Sequence, residues 1–311
     1  MLVMRFRVVF AVGSCVALVG ACGGGNGQSG PKVTARIRVG QAPSDLAAGN
    51  GGIWVLNAGF LQRIDPRRNV TTEGQPPEVG DGGLGLAVGE GAVWSTAALD
   101  EVLVRIDPRP LRRKRIRLAH ATPSDVAVGA GTVWTVSSAP GFAARVDPRT
   151  NRVTTTATVG DNPVAVAIGG GSAWVANLDD GTVSRLDVTS GRRLGRPIPV
   201  GAKPAGITFG SGSVWVANSG AGSVSRIDPA TGRVTATIRG VGHAPADLAV
   251  GLGYVWVLNS ADDTLVRIDP GTNKLAGPPL RVGTGVSDVA TGFGSVWVAS
   301  SGDNDVARIS P

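Results

Sequence analysis

Three features of the sequence predict an all-β chain folded as a seven-bladed β-propeller with four antiparallel strands per blade. All seven tryptophans (Trp54, Trp94, Trp134, Trp174, Trp215, Trp256 and Trp297) recur at one slot, at intervals of 40 or 41 residues. Each lies in the same cassette of four short runs, β-branched or alternating, separated by Gly, Asn and Asp-Pro turns. The 47 glycines and 20 prolines, beside only 17% charged residues, suit many short strands joined by tight turns.

The N-terminal stretch has a different character. Arg5 and Arg7 precede an apolar run, Val8 to Val19, that is too short to span a bilayer comfortably. It ends at Leu18-Val19-Gly20-Ala21-Cys22, which resembles a bacterial lipobox: Gly20 and Ala21 are small enough to admit a signal peptidase, and the Cys22 thiol would accept the lipid. Val12-Gly13-Ser14-Cys15 is a second match with a shorter apolar run, and an ordinary cleaved signal fits the same features. The expected organisation is a lipoprotein signal peptide over 1–21, a lipidated cysteine and flexible tether over 22–32, and the propeller over 33–311. The chain would then sit on the extracytoplasmic face of the cell membrane. Because Cys15 and Cys22 are the only cysteines, no disulfide and no cysteine-ligated metal is expected in the folded part.

The fifth cassette shows the blade most clearly. Pro204 to Gly210, Gly212 to Asn218, Ser223 to Asp228 and Arg233 to Ile238 read as its four strands. The last cassette stops at Arg308-Ile309-Ser310-Pro311, after its third strand, while an orphan fourth-strand sequence, Val33-Thr34-Ala35-Arg36-Ile37-Arg38-Val39, precedes the first cassette. That strand is expected to complete the seventh blade and close the ring.

Trp174-Val175-Ala176-Asn177 and Trp215-Val216-Ala217-Asn218, each followed by a Val-x-Arg-(Ile/Leu)-Asp run, resemble the YVTN type of bacterial propeller repeat. The cassette is also similar to that of the virginiamycin B lyase family. The resemblance covers about residues 33–311 and implies a propeller; in the lyases, a His and acidic residues around the central channel carry metal and catalysis. Where that family has a Trp-Phe-Thr-Glu element, this chain carries Asn57, Asn177, Asn218 and Asn259.

Comparing the repeats separates scaffold from candidate site. Residues common to all blades serve the blade, so the tryptophans read as inter-blade packing. The Arg-x-Asp pairs, such as Arg63/Asp65, Arg185/Asp187 and Arg226/Asp228, read as repeated ion pairs with turn chemistry. Variable positions are freer to meet a ligand. Strand alternation puts the connection between blades and the second-to-third-strand connection on one rim. That rim holds His120, His243, Asp161 and many other carboxylates, with Asp45, Asp125, Asp247 and Asp288 where the innermost strand begins. The opposite rim carries Arg67, Arg68, Arg109, Arg112, Arg113, Lys114, Arg115 and further cations. It suits an anionic membrane surface; no nucleic-acid partner is expected, since no aromatic residues interleave the arginines.

The leading reading is a lipid-anchored binding or scaffold module whose acidic rim, through Asp45, Asp125, Asp161, His243, Asp247 and Asp288, takes an extracytoplasmic protein, peptide or glycan. The alternative is a metal-assisted lyase or lactonase at the channel mouth, using His120 or His243 with Asp125 or Asp247. No cofactor is expected on the first reading, and Ca²⁺ or Mg²⁺ on the second. The same histidines also read as plain loop residues and the same aspartates as turn caps. No serine elbow, phosphate loop or zinc spacing occurs.

Overall fold

In the computed structural model, residues 30–72, 77–118 and 120–311 are described. The expected leader, Cys15, Cys22 and most of the tether lie outside them. Each cassette folds as the repeat predicts. Its second strand, Gly52–Asn57 or Ser213–Asn218 for example, is buried along its whole length because another blade covers each face. Fourth strands such as Arg152–Thr158 are largely exposed, being outermost.

Blades 1 to 6 occupy residues 43–71, 83–117, 123–158, 163–199, 204–239 and 245–281, each an antiparallel sheet with strands in chain order. Blade 7 takes three strands from 286–310 and its fourth from Lys32–Arg38. The closing strand therefore pairs where the sequence places it, beginning one residue earlier: Lys32 lies opposite Ser310 and Arg38 opposite Asp305. Every strand of the ring comes from Lys32–Ser310, so the propeller is complete without the preceding segment. The fourth strands are less regular than the repeat suggests. In blade 4 the strand shortens to Ile198–Pro199, with an isolated bridge from Arg193 to Leu186, and in blade 6 it splits into Lys274–Leu275 and Leu280–Arg281. Gly195 with Pro197, and Gly277 with Pro278 and Pro279, interrupt the ladders there.

The core lies between blades rather than within them. Trp54 packs with Leu86, Val93 and Ile106 of blade 2; Trp215 with Leu248, Val255 and Ile268 of blade 6; and Trp297 with Ile53, Val55 and Ile64 of blade 1. The indole N–H needs a partner in this apolar setting, and in six blades it donates to the glycine carbonyl five residues back, as from Trp215 to Gly210 at 3.1 Å. Trp134 instead reaches Val188 of blade 4, at 3.4 Å. Truncating one such indole to alanine costs about 3–5 kcal/mol.

The Arg-x-Asp reading needs correction. Among the Arg-x-Asp pairs of the described residues, only Arg105 and Asp107 form an ion pair, at 2.9 Å. Arg105, Arg185, Arg226 and Arg308 lie over their own blade's tryptophan and cross to the next blade, whereas Arg63, Arg145 and Arg267 donate within their own blade. Arg226 stacks 4.9 Å from the Trp215 ring centroid, and its Nη1 donates to Pro270 O at 2.7 Å and Asn273 Oδ1 at 2.8 Å. Arg308 makes the same reach across the ring seam, to Pro66 O and Asn69 Oδ1. The aspartate turns the other way, accepting N–H groups of its own turn: Asp228 takes those of Ala230 and Thr231. These backbone hydrogen bonds hold the carboxyls of Asp65, Asp147, Asp187, Asp228 and Asp269 below the usual range. The turn chemistry stands; the pairing does not, because two residues spaced i, i+2 share a face yet find nearer partners elsewhere.

Two outcomes are expected. Deleting residues 32–38 leaves an unpaired strand at the seam and lowers the melting temperature by more than about 10 °C, measured by calorimetry. In double-mutant cycles, Arg226→Met and Asn273→Ala couple by about 0.5–1.5 kcal/mol, while Arg226→Met and Asp228→Ala add independently.

Candidate functional site

The innermost strand of each blade offers one equivalent position near the channel: Asp45, Gly85, Asp125, Ala165, Gly206, Asp247 and Asp288 in ring order. Three of these aspartates reach forward into the next blade. Asp125 Oδ2 accepts the Val166 N–H at 2.8 Å, Asp247 Oδ2 that of Val289 at 3.2 Å, and Asp288 Oδ2 that of Leu46 at 2.8 Å. Two glycines at the slot belong to the same packing. A Cβ at Gly85 would stand 2.7 Å from Asp125 Cα, and one at Gly206 would stand 2.6 Å from the Ala246 carbonyl oxygen.

Asp247, Asp288 and Asp45 come from the successive blades 6, 7 and 1, and the fold brings them together. Asp288 is buried between the other two and hydrogen-bonded to both. Burial, then the charges of Asp45 and Asp247, push its carboxyl well above the usual range. Asp125 stands apart in blade 3.

On the outer part of this pole the carboxylates tie loops. The N–H groups of Asp81, Asp161, His243 and Thr284 donate to Asp100, Asp180, Asp262 and Asp303, at 3.1, 2.8, 2.7 and 2.8 Å. One short connection is thereby clamped to the next in four blades. His243 adds a side-chain contact, Nδ1 to Asp262 Oδ1 at 2.9 Å, with its ring 86% exposed. His120 is exposed in the connection leading to blade 3, three blades away, with φ of 56°. The two imidazoles therefore belong to separate places on the ring. Among the described residues no group of three His, Cys, Asp or Glu side chains converges as metal ligands would. The side chains of Asp81 and Asp161 are exposed.

Charge is less divided between the poles than the sequence suggests. Arg115 pairs with Asp100 at 2.8 Å and Arg113 with Glu78 at 3.9 Å, so two cations assigned to the basic rim serve the acidic one. Arg36, from the closing strand, lies 3.3 Å from Asp305 and 3.7 Å from Asp303.

Sequence reasoning also missed two apolar residues on the acidic pole. Phe60, which opens the third strand of blade 1, and Leu99, in the second-to-third-strand connection of blade 2, are 48% and 62% exposed. Phe60 pairs by its backbone with Glu78, and Leu99 lies over Gly82 four residues further along the same segment. The available signal was their position, since blades 4, 6 and 7 carry aspartates at these turns. A cavity of about 250 Å³ between blades 4 and 5, lined by Val200, Ser223, Ser225 and Arg239, is distant from the channel aspartates.

A ring of seven four-stranded blades, latched on its inner strands by aspartates, defines a seven-bladed β-propeller. A profile described as "Repeat of unknown function (DUF6923)" matches residues 178–308. No curated protein matches the chain in sequence. Its fold is that of virginiamycin B lyase-like propellers: selenomethionine-substituted virginiamycin B lyase from Staphylococcus aureus superposes with a TM-score of 0.77 at 15% identity, over 90% of this chain and 99% of that one. A catalytically inactive histidine-to-alanine form of that enzyme, with quinupristin, gives 0.77 at 16% identity, over 90% and 99%. Kuenenia stuttgartiensis hydrazine synthase gives 0.76 at 15%, over 87% and 96%.

The channel carboxylates generate a pH prediction. Because the folded Asp288 carboxyl holds its proton more tightly than the unfolded one, its contribution is fully present below about pH 3.9 and is lost as pH rises through the raised value. Asp288→Asn keeps an acceptor for Leu46 and removes the charge. Its melting temperature relative to the native chain should rise as pH increases from 4 and level off once the raised value is passed; a difference that is flat from pH 4 to pH 8 refutes the assignment.

Proposed function

We propose that this chain is a lipid-anchored propeller of the YVTN-repeat type that acts as a binding module, its acidic pole taking a protein, peptide or glycan outside the cytoplasm. Cys22 would carry the anchor, holding the protein at the extracytoplasmic face of the cell membrane. The observation that carries the binding reading is the patch formed by Phe60 and Leu99 beside the exposed Asp81: a large aromatic and a leucine exposed together, rimmed by carboxylates. The channel aspartates Asp45, Asp125, Asp247 and Asp288 then shape the mouth that a ligand would meet, and Asp161 and His243 form part of its rim. The opposite pole, rich in arginine, suits the anionic bilayer.

A second reading, a lyase or lactonase using Ca²⁺ or Mg²⁺, draws on the likeness in fold to virginiamycin B lyase and on the His243–Asp262 contact. It ranks lower because His243 pairs with Asp262 rather than with Asp247, and Asp247 binds the Val289 N–H.

Capture from envelope extracts on an immobilised ring of residues 31–311 tests the first reading. Phe60→Asp with Leu99→Asp should reduce recovery of the captured partner by more than about tenfold. Unchanged recovery would remove the acidic pole as the binding surface. Calcium or magnesium that raises the melting temperature, with the rise abolished by Asp247→Ala, would favour the second.

A further inference from the structure

The ten exposed large hydrophobic side chains of the described residues are unevenly placed. Only Phe60 and Leu99 lie on the acidic pole. The other eight sit at the basic pole, where the first strand turns into the second and the third into the fourth. Six form a perimeter: Val70, Leu111, Val153, Leu194, Val234 and Leu275 open the outer strand or outer segment of blades 1 to 6, each within two residues of an arginine or lysine. The remaining two, Leu252 and Phe293, stand further in, on the first turns of the neighbouring blades 6 and 7.

Those two turns are informative because the repeat provides a comparison. The Gly-x-Gly turn between first and second strands holds Asn50, Glu90, Ala130, Gly170 and Ser211 in blades 1 to 5, residues that are small or polar. Its central backbone is left-handed, with φ of 56° at Leu252 and 52° at Phe293. A bulky side chain there carries a backbone penalty of about 1–2 kcal/mol and still leaves much apolar surface in water, being 38% and 45% exposed respectively. The turn itself does not call for such side chains, since five blades make it with small or polar residues. Something outside the fold accounts for them.

We propose that the basic pole is a membrane-insertion face: Leu252 and Phe293 enter the headgroup layer of an anionic phospholipid surface, while the perimeter of aliphatic residues and cations seats the ring on it. This rests on the reading that the basic pole faces the bilayer, and adds a hydrophobic component to it. A protein partner would call for apolar anchors gathered centrally with charges excluded from among them. Here aliphatic residues and cations alternate around a broad pole, the arrangement that suits a lipid interface, where the apolar tip enters and the guanidinium stays with phosphate. The charge agrees in sign, the chain carrying a formal +7.

The test uses residues 31–311, a complete ring that contains no cysteine. Phe293→Cys and, on the other pole, Leu99→Cys each provide one site for an environment-sensitive fluorophore. With phosphatidylcholine vesicles containing phosphatidylglycerol, the label at 293 should brighten and shift to the blue, the label at 99 should not, and vesicles of phosphatidylcholine alone should move neither. Leu252→Asn with Phe293→Asn keeps the turn, since Asn50 already occupies it in blade 1, so a native melt is expected. That variant should bind the mixed vesicles about tenfold or more weakly while keeping its sensitivity to salt. Equal binding by variant and native ring, still released by salt, overturns insertion and leaves electrostatic docking intact. A response at 99 rather than 293, or no binding by either protein at low salt, overturns insertion and the orientation together.

Discussion

Each blade has two apolar faces, and neither can be left to water. A single four-stranded sheet with a fully buried second strand has no stable existence alone; its tryptophan and aliphatic residues need the following sheet to cover them. That requirement propagates around the chain until the seventh sheet meets the first, and everything else in the molecule serves this contact. Arg105, Arg185, Arg226 and Arg308 span it on the outside of the indoles, and Asp125, Asp247 and Asp288 span it on the inside. At the seam all the devices recur: the closing strand pairs with the last, Arg308 reaches Pro66, and Asp288 takes the Leu46 N–H.

Once interlocking is assured by repeated residues, the two poles are left for other uses, and they differ in kind. One is built of carboxylates that mostly accept hydrogen bonds from neighbouring loops, which makes it rigid as well as negative. The other mixes cations with exposed aliphatic side chains. The inner carboxylates introduce a tension within the ring: three placed in successive blades repel one another, and the protein accommodates this by favouring the protonated form of the central one. The same residue is thus a latch and a source of strain that depends on pH.

Much of this was legible in the sequence. The tryptophan period gave the blade count, and the truncated last cassette together with the orphan segment gave the closure. What stayed hidden involves partners one blade away. Arg226 and Asp228 look like a pair because they are neighbours in the chain, whereas the true partners, Pro270 and Asn273, lie a whole repeat further on. Asp125 and Asp247 were chosen as site residues because they vary between blades. Their hydrogen bonds to Val166 and Val289 show that variable positions also serve the scaffold, wherever the neighbouring blade leaves room. Leu252 and Phe293 were overlooked because apolar residues in a chain of strands draw no notice until their exposure is known.

The placement of the closing strand bears on how the molecule comes into being. Val33 and Ile309 face each other although the whole ring separates them along the chain, so the strand made first waits for the one made last. Until then both ends of the nascent array present open edges, and contacts of this sequence separation are the slowest to form. Closure must therefore wait until the seventh blade has been made, which makes the interval before it the period in which the chain most needs shelter from aggregation.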